Sequence, residues 1–334
     1  MTWLPLIWVI IIAVGVVIYV LLDGFDLGIG ILFAFSRGHT HRDLMMNSVA
    51  PVWDGNETWL VLGGAGLLAA FPKAYAILLS GLYVPIMLML TALIFRGVSF
   101  EFRFKAHKSR FLWDIAFSAG SFLAAFCQGM TLGAVIQGLN VVDGHYAGGN
   151  YDWLSPFTLL TGAAVVVGYA LLGSTWLIMK TEGDLQARNY RAAQRILPVM
   201  LLAIVAVSLW TPFLQPAIKE RWFSLPNFYY LSQIPFITFL VAVGTWYTLK
   251  RARYPHAPFL CSIGLFLLSY IGLIISIWPY IVPRALTYRE AASPASSQLF
   301  VLVGFIVVAP FLLGYTIMGY RIFSGKVRAG EGYH

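Results

Sequence analysis

Residues 1–28, MTWLPLIWVIIIAVGVVIYVLLDGFDLG, begin with an uncharged apolar run, Met1–Leu22, and then reach two acids, Asp23 and Asp26. A bilayer core about 30 Å thick is crossed by roughly 20 apolar residues of α-helix. The run is therefore long enough to span a membrane, and it leads directly into carboxylates that a membrane normally excludes. These residues predict a membrane-spanning helix with a polar site inside it.

Seven further runs without a charged side chain are as long, and a ninth apolar segment is interrupted only by acids. The composition agrees, since 59% of the residues are apolar and 11% are charged, whereas soluble domains carry roughly 25% charged residues. Continuous apolar runs indicate helices, because membrane β-barrels show short alternating strands. We predict an all-α integral membrane protein, a single polytopic domain whose nine transmembrane helices lie at about residues 4–35, 45–71, 74–100, 112–140, 155–180, 196–217, 229–249, 257–283 and 298–322.

Basic residues are distributed unequally between the two sets of alternating connections. One set contains 16 of the 22 Lys and Arg residues, the other contains five, and Arg96 lies inside a predicted span. Cytoplasmic loops carry the excess of positive charge in membrane proteins. We therefore expect a periplasmic N-terminus and a cytoplasmic C-terminus. The net charge of +8 reflects this asymmetry, and no nucleic-acid partner is expected.

Two pairs of acids lie within the first two predicted spans: Asp23 with Asp26, and Asp54 with Glu57. Residues three apart project from one face of a helix. Counted from the basic residues between the two spans, Asp26 and Asp54 both lie roughly 16–18 Å into the membrane at 1.5 Å per residue. Each such carboxylate costs on the order of 2.5–3.5 kcal/mol unless it is paired, protonated or hydrated. Four acids in one layer therefore indicate a functional site.

A purely structural role is the alternative, in which the acids pair with Arg96 or cap helix breaks at nearby glycines. Arg96 lies about 10 Å from Arg103 along the same predicted helix, and Glu101 and Asp114 fall near its cytoplasmic mouth. Together these residues form a series of polar side chains that leads from the cytoplasm to the four acids of the first two spans. We predict a proton-uptake path, or a polar ion site, made of Asp23, Asp26, Asp54, Glu57, Arg96, Glu101 and Asp114.

The six histidines fall in connections, at the edge of a span or at the C-terminus, so none is placed to bind a haem inside the bilayer. Cys127 and Cys261 do not have the spacing of metal ligands. The methionines are typical packing residues. We predict that this chain by itself ligates neither a metal ion nor a haem.

Several short motifs occur in order along nearly the whole chain. They are DGFDLG at 23–28, NSVAPVWDGNETW at 47–59, FRGV at 95–98, WD at 113–114, LG at 132–133 with QG at 137–138, SPF at 155–157, WP at 278–279 and SSQL at 296–299. A W-D-G-N sequence in an apolar hairpin, with D-G-F-D upstream, is a specific combination. On these residues the chain resembles subunit II of the cytochrome bd-type quinol oxidases.

This resemblance implies nine helices arranged as two four-helix bundles plus one peripheral helix. It also implies a heterodimer with subunit I, which carries two b haems, one d haem and the quinol-oxidation site. The complex, in the bacterial inner membrane, oxidises quinol and reduces dioxygen to water, with protons taken from the cytoplasm and no pumping. By this resemblance the chain alone is not catalytic. Its expected partners are subunit I, membrane lipids and quinone, with a small accessory subunit or a structural quinone in some members.

The resemblance also implies roles for individual residues. Acids of subunit II are thought to form part of a proton path to the haem site. Motif position carries this role onto Asp23, Asp26 and Asp54, with Trp53 beside them and Asp114 further along. The chain is shorter than the better-known members of the family, and Glu57 stands where other members have a neutral amide. Both features are more similar to the cyanide-insensitive branch of the family.

Three other interpretations stay open at the level of the sequence: a proton- or ion-coupled secondary transporter, an inert scaffold subunit, and a stand-alone haem protein with methionine or water ligands. A transporter is disfavoured because all intramembrane carboxylates precede residue 115, whereas transporter repeats bring similar helices from both halves to the midplane. Haem b and d absorption bands that depend on a second subunit would favour the oxidase.

Overall fold

A computed structural model of the chain describes residues 3–328, and these residues are mainly helical. Two short antiparallel hairpins lie in the connections. The helices are α1 Leu4–Phe33, α2 His39–Asn47, α3 Trp53–Ala70, α4 Pro72–Lys105, α5 Arg110–Gln137, α6 Pro156–Lys180, α7 Gly183–Leu214, α8 Pro216–Phe223, α9 Asn227–Leu231, α10 Gln233–Arg251, α11 Ala257–Ile277 and α12 Ala295–Ile322, and the strands are β1 Val141–Val142, β2 His145–Tyr146, β3 Tyr280–Val282 and β4 Leu286–Thr287.

Eight helical segments of the described chain are long and apolar enough to cross a membrane. They are α1, α4, α5, α6, α7, the segment formed by α9 and α10, α11 and α12. Their most apolar windows have mean hydropathies between 1.4 and 2.9. The eight uncharged runs of the sequence are therefore confirmed as long helices, and the chain is a multi-pass membrane protein.

The ninth predicted span, at 45–71, differs in form from the other eight. A turn at residues 48–52 divides it into the short α2 and the 18-residue α3. At 1.5 Å per residue α3 is about 27 Å long. Asp54, Asn56, Glu57 and several glycines make it less apolar than the other long helices. That α3 is the ninth span stays a prediction.

The seventh helix begins earlier than the sequence indicates. α7 starts at Gly183, whereas the predicted span starts at residue 196. The intervening residues are polar, but Leu185, Asn189 and Ala193 recur every four positions and are buried on one face. Asp184 lies in the first turn, where a negative charge stabilises a helix. An amphipathic segment thus extends this span at its polar end.

The helices that carry the acids pack around a common core. α1 contacts α3, α5 and α6, and α6 also contacts α7 and α11. The backbones of α1 and α6 come closest at Gly28 and Gly173. A Cβ placed on Gly28 would lie 1.8 Å from the carbonyl oxygen of Tyr169, and a Cβ on Gly173 would lie 2.5 Å from the carbonyl carbon of Gly28. Only glycine permits this approach, which holds α1 against α6 next to Asp26.

Contacts between connections show which loops share an end of the molecule. Lys326 pairs with Glu182 at 3.3 Å, and His41 lies 3.7 Å from Asp184. These contacts join the C-terminal segment, the start of α7 and the connection after α1. All three regions belong to the set of connections that is rich in Lys and Arg, which we call the basic end.

The connections at the opposite end are also joined to one another. The backbone N–H of Ser293 donates to the carbonyl oxygen of Ala70 at 2.9 Å. The Gln215 amide donates to the carbonyl oxygen of Ile136 at 2.5 Å. Each of these contacts links connections that the sequence assigns to the same side. The orientation of the two ends in the membrane stays a prediction.

The long helices differ in how much of their surface the chain covers. In the most apolar window of α6, 61% of the residues are buried, whereas the corresponding share is 11% in α7 and in α11 and 6% in α12. The uncovered positions on α12 include Phe300 and Phe311, which are large and apolar. Such a surface is stable only against lipid or another membrane subunit.

Candidate functional site

Arg96 lies at the centre of a buried group of charges. Its fully buried guanidinium, on α4, lies 2.7 Å from Asp23, 3.4 Å from Glu57 and 3.6 Å from Asp26. Asp23 and Asp26, both on α1, are also fully buried, whereas the Glu57 side chain, on α3, is 23% exposed. We call these four residues the Arg96 cluster.

The local sequence of α1 explains why both aspartates point the same way. Asp23 and Asp26 are three residues apart and therefore share a face of the helix. Gly24 and Gly28 lie on the side that packs against α6, where an added Cβ would collide with Tyr169. This glycine contact sets the rotation of α1 about its axis and thereby directs both carboxylates toward α4.

Asn56 connects the Arg96 cluster to α12 through hydrogen bonds. The Asn56 amide donates to Asp26 at 2.7 Å and to the carbonyl oxygen of Leu22 at 3.3 Å. The Tyr320 hydroxyl donates to the side-chain oxygen of Asn56 at 2.8 Å. Asn56 is therefore held by two helices while it orients the Asp26 carboxylate.

A second series of polar contacts approaches Asp23 from α5 and α6. The Tyr169 hydroxyl donates to the Gln128 side-chain oxygen at 2.7 Å, and the Gln128 amide donates to the Tyr19 hydroxyl at 2.6 Å. Tyr19 lies about one helical turn before Asp23 and interacts with its carboxylate. The polar network therefore extends across three helices and ends at the Arg96 cluster.

Charge is not balanced within the Arg96 cluster. Three carboxylates surround one guanidinium, so full ionisation would leave two negative charges uncompensated. Asp23 Oδ2, Asp26 Oδ1 and two nitrogen atoms of Arg96 have no hydrogen-bond partner within residues 3–328. A buried polar atom without a partner costs about 1–3 kcal/mol, and more when it is charged. The arrangement therefore favours protonation of the unpartnered carboxylate oxygens, or water bound at any of these atoms.

Asp54 and Trp53, at the start of α3, lie in different surroundings. The Asp54 side chain is exposed on the outer face of α3. The Trp53 ring stacks on Phe100, with the ring centroids 4.9 Å apart. It also lies against Gly97, where a Cβ would be 3.2 Å from the indole. Of the two predicted acids of this helix, the structure brings Glu57, rather than Asp54, to the guanidinium of α4.

The two acids predicted at the cytoplasmic mouth lie apart from the Arg96 cluster. Glu101 is exposed and pairs with Lys105 at 3.4 Å, one helical turn away. Asp114 is buried and accepts hydrogen bonds from Arg103 at 2.5 Å and from Arg42 at 2.8 Å. The structure therefore places Asp114 in an ionic group and Glu101 at the surface.

The ionic group around Asp114 lies at the basic end of the helices. Asp43 pairs with Arg103 at 2.7 Å and also contacts Arg110. We call Arg42, Asp43, Arg103, Arg110 and Asp114 the basic-end cluster. With three arginines and two aspartates, it carries a positive balance of charge and joins α2, α4 and α5.

An aromatic layer lies between the two clusters. Phe117 packs edge-on against Phe33 at 5.0 Å and against Phe100 at 5.1 Å. Arg103 lies 5.2 Å from the centre of the Phe33 ring, and Arg96 lies 6.0 Å from the centre of the Phe100 ring. Apolar rings thus occupy the region of about 10 Å that separates the two arginines along α4.

Several polar residues of the network were not assigned from the sequence. Gln128 had the clearest signal, because it is an amide in the middle of an uncharged run. Asn56 stands between two acids in its motif, yet an amide there suggests a turn as readily as a ligand of Asp26. Tyr19, Tyr169 and Tyr320 had no signal, because tyrosines are common near membrane interfaces.

The histidine, cysteine and carboxylate side chains of the described residues do not gather in a metal-ion site. No group of three or more His, Cys, Asp or Glu side chains that could hold a metal ion occurs within residues 3–328. The histidines of that range are exposed or half-buried and lie at the ends of helices or in connections: His39, His41, His107, His145 and His256. His334 lies outside the described residues.

Comparison of the sequence with known proteins identifies relatives over nearly the whole length of the chain. It is 30% identical over 363 residues to cytochrome bd-I ubiquinol oxidase subunit 2 of Escherichia coli strain K12, covering 97% of this chain and 95% of that protein. It is 29% identical over 337 residues to cytochrome bd ubiquinol oxidase subunit 2 of Bacillus subtilis strain 168, covering 97% of each.

The fold is also shared with a solved structure. The bd oxidase from Geobacillus thermodenitrificans contains a chain that matches with a TM-score of 0.81 and 17% identity, covering 97% of this chain and 99% of that chain. A family model described as cytochrome bd terminal oxidase subunit II matches residues 4–323. Because that match includes both acid-bearing motifs and nearly all of the described helices, the chain belongs to the cytochrome bd terminal oxidase subunit II family.

Proposed function

We propose that this chain is the non-haem-ligating subunit of a quinol oxidase in the bacterial inner membrane, and that its Arg96 cluster conducts protons from the cytoplasm toward a haem-bearing subunit I. Membership of the subunit II family implies such a partner, and two relatives are named ubiquinol oxidase subunit 2. Quinol oxidation supplies electrons, and reduction of dioxygen to water consumes as many protons as electrons. A subunit rich in buried carboxylates is suited to the proton side of this reaction.

The observation that carries the proposal is the excess of carboxylates around Arg96. A cluster with only a structural role is expected to balance its charges, since an uncompensated buried charge is strongly destabilising. Here one guanidinium faces Asp23, Asp26 and Glu57, so protons bound to the carboxylates, or water, would offset the remaining negative charge. Such a cluster can gain and lose protons while Arg96 keeps the carboxylates together.

Glu57 provides a connection between the buried acids and the surface of the chain. Its side chain is partly exposed, whereas Asp23 and Asp26 are fully buried. Asp54 is exposed and lies three residues earlier on α3, so these two acids share a helix face. Protons would pass between the outer face of α3 and the buried aspartates through Glu57.

The cytoplasmic entrance of the proposed path lies at the basic end. Glu101 and Asp114 are its acids, and Trp53 closes the contact between α3 and α4 by stacking on Phe100. Aromatic rings stand between Asp114 and the Arg96 cluster. We therefore propose that protons bypass these aromatic rings along α3, by way of Asp54 and Glu57.

The proposal includes the finer features of the architecture. α3 forms the ninth span, the N-terminus is periplasmic, the C-terminus is cytoplasmic, and the spans form two four-helix bundles with one peripheral helix. Sparse burial of α12 supports a peripheral position, and the excess of Lys and Arg at one end supports the orientation. Subunit I would hold two b haems, one d haem and the quinol site. Lipids, quinone and a small accessory subunit are further proposed partners.

Glu57→Gln in the assembled complex tests the proposal. Proton transfer by a positioned side chain contributes typically 10²–10⁴-fold to a rate, so oxygen consumption with quinol and the coupled proton uptake should fall by at least about tenfold. The haem absorption spectrum should be unchanged, since the proposal places all haem ligands in subunit I. Asp54→Asn should also lower oxygen consumption and proton uptake, because Asp54 lies on the same face of α3 as Glu57.

Glu182→Gln is the matched control, because Glu182 is an exposed acid that pairs with Lys326 at 3.3 Å and lies outside the proposed path. It should leave turnover and proton uptake close to those of the unmodified complex. Turnover at the unmodified rate in Glu57→Gln, with a normal haem spectrum, would refute the proton-path role.

A scaffold subunit is the second candidate function, and the contact of one guanidinium with all three acids favours it. In that case the cluster only holds α1, α3 and α4 together. Glu57→Gln would then change the thermal stability of the complex and leave its proton-coupled turnover unaltered. The two candidates therefore predict opposite patterns in the same variant.

A further inference from the structure

A pocket of about 320 Å³ lies at the connection between α4 and α5. It is outside the Arg96 cluster, and it shares one residue, Arg110, with the basic-end cluster. Most of its lining side chains are basic or can become so, and none is acidic. The lining residues are His39, Ala106, His107, Lys108, Arg110 and Phe111.

Two helices begin at this pocket. α2 starts at His39 and α5 starts at Arg110, and both of these residues line it. Neither helix has a side-chain cap or an acid in its first turn. A helix N-terminus carries free N–H groups and partial positive charge, which a basic first residue increases. An anion in the pocket would accept hydrogen bonds there and offset both sources of positive charge.

The two permanently cationic side chains of the pocket differ in their contacts. Arg110 contacts Asp43, which holds it in place, and its Nε has no hydrogen-bond partner within residues 3–328. Lys108 is exposed and forms no ion pair within the same range. Arg110 therefore retains an unused donor, and Lys108 contributes a positive charge that no acid of the described chain offsets.

Large apolar side chains continue from the pocket along α4 and α5. Phe111 is 61% exposed, and Leu112, Ile115 and Phe102 are 52%, 55% and 53% exposed. We propose that the pocket binds a phosphate group, supplied by an anionic phospholipid headgroup or by a free phosphate ion. The neighbouring apolar surface favours the lipid, because its acyl chains would cover these side chains while its phosphate occupies the basic pocket.

Native mass spectrometry of the assembled complex in detergent tests this site, with added phosphatidylglycerol and phosphatidylcholine as probes. Lys108→Glu changes the charge of the pocket by two units. At the usual contribution of a basic residue near anionic lipid, it should weaken phosphatidylglycerol binding roughly 30-fold. Lys105→Glu is the matched control, since Lys105 is the last residue of α4, three residues before Lys108, is 77% exposed and does not line the pocket.

Competition with inorganic phosphate distinguishes the two sources of the phosphate group. Selective loss of phosphatidylglycerol in Lys108→Glu, with no displacement by inorganic phosphate, supports the lipid. Displacement by inorganic phosphate, together with a phosphate-dependent rise in Tm that Lys108→Glu abolishes, supports the free ion. Equal lipid binding in the two variants, without an effect of phosphate on Tm, overturns the proposal. The readout is binding, so this failure would leave the proton-path proposal untouched.

Discussion

Arg96→Met removes the guanidinium that faces three carboxylates and leaves those carboxylates in the protein interior. Arg96 is fully buried and lies within 3.6 Å of Asp23, Asp26 and Glu57. Removing one partner of a buried ion pair costs about 3–5 kcal/mol, because the remaining charge is uncompensated. Methionine is close in length to arginine and apolar, so the loss is expected from charge rather than from a cavity.

Thermal unfolding of the purified complex, at one fixed scan rate, measures this effect. At about 2 °C per kcal/mol for a large chain, the Tm of Arg96→Met should fall by about 6–10 °C. Adding Asp23→Asn removes one of the charges left behind, so the double variant should recover about 1–3 kcal/mol of the loss. Lys105→Met is the control: its side chain is 77% exposed, and its effect should stay within about 0.5 kcal/mol.

Two results would contradict a compensating role of Arg96. One is a Tm of Arg96→Met that does not differ from that of the Lys105→Met control. The other is a double variant that is less stable than Arg96→Met alone. Either result would mean that the carboxylates do not depend on the guanidinium for their compensation.

Two further predictions concern packing and the outer connections. Gly28→Ala places a Cβ 1.8 Å from the carbonyl oxygen of Tyr169. It should therefore separate α1 from α6 and reduce the yield of assembled complex on native gels. Gly64→Ala is the control: its Cβ would have no heavy atom within 4 Å, and this variant should assemble normally. Hydrogen bonds from the Thr287 backbone and side chain lower the pKa of Glu290, so the stabilisation from this contact is present at neutral pH and is lost as the pH falls below the ordinary range of glutamate. Thr287→Val should move the Glu290 titration upward in an infrared titration with labelled glutamate, and an unchanged titration would contradict the assigned cause.

The sequence was most informative where one physical requirement dominates. An uncharged run of membrane-spanning length has few alternatives to a transmembrane helix, and all eight such runs form long helices. It was less informative where several effects compete, as at 45–71. There the polar residues of the motif lower the hydropathy of α3, and a turn separates α2 from it. The early start of α7 depends on burial of one face by other helices, which a hydropathy pattern does not contain.

The sequence predicted which acids and which arginine form the candidate site, but it predicted only some of the contacts between them and their neighbours. Asp23 and Asp26 share a helix face in any regular helix, so their common direction followed from spacing. Arg96 was a natural partner because a buried cation needs an acid. Gln128 and Tyr320 come from helices distant in sequence, and no local pattern relates Tyr320 to Asn56.

Apolar length and the cost of a charge in hydrocarbon are local properties, so the order of residues is enough to place this chain in a membrane with acids buried in it. The sequence also contained the motifs by which the family is recognised. Which of the acids contact one another depends on how the helices pack. The rotation of α3 against α1 and α4 turns Glu57 inward and Asp54 outward, although both lie on nearly the same side of the helix. That rotation depends on side-chain packing between helices, such as Trp53 on Phe100, and packing is a property of the assembled fold.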